Sequence, residues 1–297
     1  MKKVLSIFAC ILTLSFAVTS CDWFELDNQD GWNASVEGVI LDSETNQPIQ
    51  FEQGSTITVV EQGWEAQANQ TWAVKNDGSY KNTLVFAGSY VMNTLTNNFV
   101  AEAQSFELKK GDNTVNFKAT PYVRILNPQV TMEGDKIKVT CTVKAGVSSV
   151  NNIGEVRICV SPDRFVRQST NNVSNDPASH ISDVKVDGSQ QLTLYVDTKS
   201  AANAYEFQYN RPHYIRIAAV GAHYAIVPEW SEESQEFDME AYLAAGMPED
   251  WWNYFKTVVI IHPASYTNDG TVNSSNAYNY SPVYKLEKGT ITEVTDW

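Results

Sequence analysis

Apolar residues in this chain fall mostly at alternate positions, in short runs separated by clusters of Asn, Asp, Gly, Ser and Pro. Alternation at period two sets one face of a strand toward a core and the other toward water. It predicts strands at 36–40, 55–60, 83–86, 90–92, 106–108 and 115–117. Polar turns separate them at 42–49, at Asn76-Asp77-Gly78-Ser79, and at 110–113. Residues 121–128, bounded by Pro121 and Pro128, read as a link. Beyond it, strands are expected at 135–143, 155–160, 191–196 and 214–220. Short strands at regular spacing with turn signals between them point to β-sandwiches. The fold class expected is all-β, with two consecutive β-sandwich domains at 34–120 and 121–297.

The pattern changes near the C-terminus. Two segments, 230–237 and 278–286, could close the second sandwich, and the latter is preferred. Between the penultimate strand and that closing strand lies an insertion, about 222–277, expected to be partly helical at 238–245 and 248–256. Pro248 suits a first helical position, and Glu249 and Asp250 suit the positive end of a helix dipole. The stretch Met-Pro-Glu-Asp-Trp-Trp-Asn-Tyr-Phe at 247–255 then concentrates four aromatics. At helical spacing Trp251 and Phe255 share a face, enough to dock the helix, while Trp252 points elsewhere. Trp and Tyr offer flat apolar faces with a polar edge, which suit the C–H faces of sugar rings. Two uses therefore stay open: a core anchor, or a ligand platform using Trp252 and Tyr254, with Trp230 as a neighbour. Trp64, in a polar segment of the first domain, is a further ligand candidate or a hydrophobic plug. Trp72 is expected to join the core with Val74.

The first residues add an address. Lys2 and Lys3 precede an apolar run at 4–18 that is shorter than the roughly 20 residues of a membrane span and suits a secretory leader of residues 1–20. Val18-Thr19-Ser20-Cys21 resembles a bacterial lipobox, which implies a lipid on Cys21 and a lipidated acidic tether over 21–33. Asp22, Glu25, Asp27 and Asp30 follow closely. In lipoproteins of Bacteroidota, such acids resemble the signal for the outer face of the outer membrane. The expected contact with the membrane is through the lipid anchor only.

Charge and chemistry narrow the function. The chain carries −14, and removing Lys2 and Lys3 with the leader takes this to −16. Nucleic acid is a poor partner for so acidic a protein, and strongly anionic glycans are disfavoured; neutral sugars fit. Cys141 and Cys159 remain after the tether. Alternation aims one into a core and the other outward with Arg157, so no disulfide is expected. No Cys/His cluster suggests a metal. None of the four histidines sits in His-Glu-x-x-His, and there is no Gly-x-Ser-x-Gly elbow or phosphate loop. His213, just before a strand, is expected to be structural. No enzyme, no cofactor and no metal is expected.

The motifs also carry a family resemblance. The strings GVILDSETNQPI, NDGSY, AGSY and FELKKGDNTVNF, in that order, resemble the carboxypeptidase-regulatory or transthyretin-like sandwich of Bacteroidota surface lipoproteins. HYIRIAAVG resembles the penultimate strand of fibronectin-type-III-like domains. Together with YNYSPVYKL, they resemble a family of two-domain lipoproteins of unknown function encoded beside starch-utilisation-type importers. The resemblance fails over the insertion. It implies a surface-exposed accessory lipoprotein of a glycan-uptake system, binding a polysaccharide or oligosaccharide. The alternative is a non-catalytic structural or docking subunit that contacts an outer-membrane importer complex.

Overall fold

The structure is a computed structural model, and it describes residues 31–93, 97–100, 102–147, 152–185, 189–226, 258–261 and 277–297. The expected lipidation position Cys21, and Trp230, Trp252 and Tyr254 of the expected insertion, lie outside the described residues. So do both expected helices and the alternative closing segment at 230–237.

The first half is a sandwich of two four-stranded sheets. One contains β1 (Ala34–Asp42), β4 (Ser79–Val85), β7 (Gly111–Thr114) and β8 (Phe117–Ala119). Strand β1 pairs antiparallel with β4 and parallel with β7 and then β8. The other sheet runs in the order β3 (Asn69–Ala73), β2 (Thr56–Glu61), β5 (Gly88–Met92) and β6 (Gln104–Leu108). Alternation works as expected in β1, where Val36 and Ile40 are buried. The core between the sheets is dominated by rings. Tyr80 stacks on Phe117 and Tyr90 on Phe106, each at 5.5 Å between centroids, and Trp72 meets Tyr80 at 5.9 Å. Trp72 is buried with Val74, as the pattern implied.

Two expectations fail here. Residues 111–113 of the expected turn belong to β7, and the expected strand at 115–117 falls across the break before β8. The cause is Gly38. A Cβ on it would lie 1.6 Å from the Val115 carbonyl oxygen, so β1 and the 115–116 segment touch backbone to backbone. Tyr80 Oη donates to that same carbonyl at 2.6 Å. The chain therefore breaks its ladder there and resumes it on either side.

The second half is built from β9 (Val123–Glu133), β10 (Lys136–Ala145) and β13 (Ser189–Asp197) facing a larger sheet. That sheet has β12 (His180–Lys185), β11 (Asn152–Ser161), β14 (His213–Ile226), β17 (Tyr284–Glu287) and β18 (Thr290–Glu293) in order, with β15 (Val258–Ile261) and β16 (Asn279–Tyr280) also on β14. Ile137, Val139, Cys141 and Val143 of β10 meet Val156, Ile158 and Val160 of β11 in one core. Strand β9 begins at Val123, so the expected link at 121–128 is mostly strand; Pro121 itself bridges to Phe99. Strand β14 runs on to Ile226 and pairs with β15, so the insertion opens as a hairpin strand and not as an irregular segment at 222. The preferred closing segment does lie beside β14: Asn279 and Tyr280 pair with Ala219 and Ala218, and Tyr284–Leu286 with Ile215–His213.

Both cysteines are free and buried. Cys141 lies in the main core as expected. Cys159 does face the other side of its sheet, but that side is not open. Val166, Ala218, Tyr280 and Val283 cover it in a separate apolar cluster, and burial pushes its thiol up to about 12.

Candidate functional site: the groove between the sandwiches

The two sandwiches meet through side chains that the sequence shows only as polar turn and strand residues. Asp42 ends β1, and Arg124 is the second residue of β9. Arg124 Nε and Nη2 each donate to a different Asp42 carboxylate oxygen at 2.8 Å. Both side chains are under a tenth exposed. This planar fork is the strong form of the interaction, because guanidinium and carboxylate match at two points. Burial alone would raise the Asp42 pKa. The hydrogen bonds from Arg124, from the Glu44 N–H and from Thr45, with the Arg124 charge, outweigh it and hold the carboxyl below its ordinary value. Glu44 adds a second contact to Arg124 at 3.0 Å and a third to Lys144.

Further bonds gather at the junction, and those to Asn98, Glu52, Asn76 and Lys75 cross it. Asn279 Nδ2 donates to the Asn98 carbonyl at 2.7 Å, and Asn279 Oδ1 accepts from the Val123 N–H at 2.9 Å. Tyr280 Oη donates to Glu52 at 3.1 Å. Arg216, fully buried, lies 4.4 Å from the Tyr280 ring centroid and donates to the Ser281 and Asn76 carbonyls. Desolvation lowers its pKa to about 10, so it stays charged at neutral pH. Lys75 Nζ donates to the Trp297 backbone oxygen at 3.0 Å.

These contacts leave a groove of about 700 Å³ along the junction. Its walls come from the 45–50 turn, the 77–79 turn, the start of β9, and the 279–297 segment. The lining mixes Pro48, Ile49, Ile125, Pro128 and Val294 with the uncharged polar groups of Thr45, Gln47, Gln50, Ser79, Asn127 and Thr295. Its charged members are Asp77, Glu293 and the mutually paired Asp42 and Arg124. Trp297 and Tyr280 are its aromatic members; Arg164 sits 4.7 Å from the Trp297 indole centroid and Phe165 at 6.0 Å, and the indole is partly buried against the Cys159 cluster. An apolar wall with a few placed polar groups is the general make-up of a small-molecule site, and the volume is in the usual range. Among the described residues, no group of three or more His, Cys, Asp or Glu could hold a metal.

Residues 34–120 match the model for the N-terminal domain of DUF3823, a family of unknown function. The solved structures similar to this chain include DUF3823 proteins. A candidate carbohydrate-binding protein from Bacteroides uniformis is 23% identical with a TM-score of 0.60, over 86% of this chain and all of that one. A DUF3823 protein from Parabacteroides merdae is 22% identical with a TM-score of 0.54, over 65% of this chain and 92% of that one. One from Bacteroides ovatus is 16% identical with a TM-score of 0.52, over 63% and 91%. At these identities the likeness speaks to the fold. Among curated proteins none matches the chain.

Of the aromatics predicted as ligand contacts, only Trp64 lies among the described residues. It is 57% exposed in the loop between β2 and β3, so it is not a plug, and it does not line the groove. His213 is structural as expected: it is buried and its Nε2 lies 3.0 Å from the Glu206 carbonyl. Sequence reasoning missed Trp297, Gln47 and Gln50. Gln47 and Gln50 flank Pro48 in a turn that read only as punctuation. Trp297 gains meaning only once 279–297 folds back beside the 45–50 turn.

Proposed function

We propose that this protein is a non-catalytic glycan-binding lipoprotein of the outer membrane, facing outward, that holds a neutral polysaccharide and serves an uptake system. The observation that carries the reading is the groove at the junction: concave, rimmed by amides and hydroxyls, edged by an indole, and with little unpaired charge. Neutral sugars present C–H faces to aromatic rings and hydroxyls to amides, so this lining matches them in both respects. The likeness to a candidate carbohydrate-binding protein supports the same class. The lipobox-like Val18–Cys21 string and the acids after it support tethering at Cys21, and the family resemblance supports an importer complex as partner.

A binding screen against neutral polysaccharides, repeated with Trp297→Ala, tests the groove. Binding by the parent chain that weakens in the variant supports the reading. If no neutral polysaccharide binds, the spacer or docking role beside the importer takes its place. Protease shaving of intact cells tests the location. Survival of the protein, or unchanged membrane attachment of a Cys21→Ala variant, contradicts it.

A further inference from the structure

The pole of the second sandwich remote from the Arg124–Asp42 contact has a different surface. A single turn of helix, α1 (Ala204–Phe207), connects β13 to β14 there. Tyr205 and Tyr209 are 75% and 50% exposed, and their rings meet edge to face at 6.2 Å. Large exposed rings on an acidic, water-facing chain need a use, and these two are held firmly. Glu206, between them in sequence, is buried, and it accepts from Arg211 at 3.0 Å and from Asn172 at 3.2 Å. Asn203, fully buried before the helix, receives the Ser174 N–H and donates to the Asp197 carbonyl. The Arg211 guanidinium lies 5.4 Å from the Tyr209 ring centroid. The tyrosines thus stand on a fixed base, so little ordering entropy is lost when a ligand lies on them.

Beside Tyr209 is a depression of about 360 Å³. Its apolar lining includes Met132, Phe207 and Leu286. Its charged rim has Lys199, Arg211 and Lys288 against Asp135 alone. Arg211 is shared with Glu206, which leaves Lys199 and Lys288 as exposed cations. On a chain with 35 acids and 21 basic residues, this depression thus presents two exposed lysines, with Asp135 on its rim and Glu287 beside Lys288 offsetting part of their charge. Overall charge disfavours anionic ligands, but recognition is decided over the few ångströms within a Debye length of the site.

We propose that this pole is a second saccharide site, for a pyranose that carries a carboxylate, such as a uronic-acid residue. The ring lies against Tyr209, and its carboxylate points to Lys199 and Lys288. The proposal rests on the reading of the protein as a glycan binder, but it concerns different residues from the groove.

Calorimetric titration of the full chain, prepared without its leader, with galacturonic-acid and glucuronic-acid oligosaccharides tests it. The carboxyl-reduced oligosaccharides of the same length serve as the comparison. The expected result is binding of at least one acidic series, at least tenfold weaker for its reduced form, and weakened by added salt. Tyr209→Ala should abolish it. The pair Lys199→Gln with Lys288→Asn should weaken it about tenfold, with the thermal midpoint unchanged. Trp297→Ala should leave acidic binding intact, which separates this site from the groove. Equal binding of acidic and reduced forms, full retention in Tyr209→Ala, or no binding of either acidic series overturns the proposal. Loss of neutral-glycan binding in Trp297→Ala bears on the groove alone.

Discussion

Arg124 and Asp42 form a two-point ion pair at 2.8 Å across the junction, with both side chains largely buried. Two charges removed from water are expensive, and only good geometry with further hydrogen bonds compensates. Asp42 has those bonds, from the Glu44 N–H at 3.1 Å and Thr45 Oγ1 at 2.9 Å. Removing one partner leaves the other charge buried alone. Arg124→Met should therefore lower the unfolding free energy by about 3–5 kcal/mol, read from urea denaturation. An unchanged midpoint would show that the junction is held elsewhere.

The same pair sets an acid response. The folded pKa of Asp42 lies below its unfolded value, so its contribution is complete above the ordinary aspartate range and disappears as the pH falls through the folded value. The parent chain should lose stability across that window. Asp42→Asn should start lower and lose less over the same acid range. Parallel acid-dependence curves for the two proteins would contradict this.

Gly146 marks a close backbone approach within the second half, where the end of β10 passes the residues leading into β9. A Cβ there would lie 1.6 Å from the Pro121 carbonyl oxygen, and its own N–H donates to the Tyr122 carbonyl at 2.8 Å. Gly146→Ala must push Pro121 away, at a cost of about 1–3 kcal/mol or more. Gly31→Ala, with nothing within 4 Å, is the control. Equal thermal midpoints for the two variants would contradict the close approach.

Trp72 and Trp64 sit eight positions apart in one sequence segment and in opposite environments. Trp72 is buried against Tyr80 and Tyr90, and Trp64 is largely exposed. Trp72→Ala should cost about 3–5 kcal/mol. Trp64→Ala should change stability by under about 0.5 kcal/mol. Chemical denaturation of both variants checks the difference; comparable losses would contradict it.

Strand positions were legible wherever one face meets the core, because alternation is then enforced at every second residue, as in β1 and β10. They were not legible in β7, whose Gly-Asp-Asn-Thr sequence has no apolar face and is held by pairing with β1. The buried state of Cys159 also escaped, since Ala218, Tyr280 and Val283, which help cover it, are distant in sequence. The groove was illegible for the same reason. Asp42, Gln47 and Trp297 look like turn and tail residues until tertiary contacts bring them together. The aromatics at 251–255 cluster along the chain, whereas Trp297 meets Phe165 only through the fold.

The groove between the sandwiches is proposed to hold a neutral glycan against Trp297. The deciding measurement is calorimetric titration of the chain from residue 22 onward with neutral polysaccharides, alongside its Trp297→Ala variant. Saturable binding by the parent chain and at least a tenfold loss in the variant are expected, at a temperature where both are folded, since Trp297→Ala also removes contacts with Arg164, Phe165 and the Cys159 cluster. Binding of equal strength in the two, or none in the parent, would contradict the proposal.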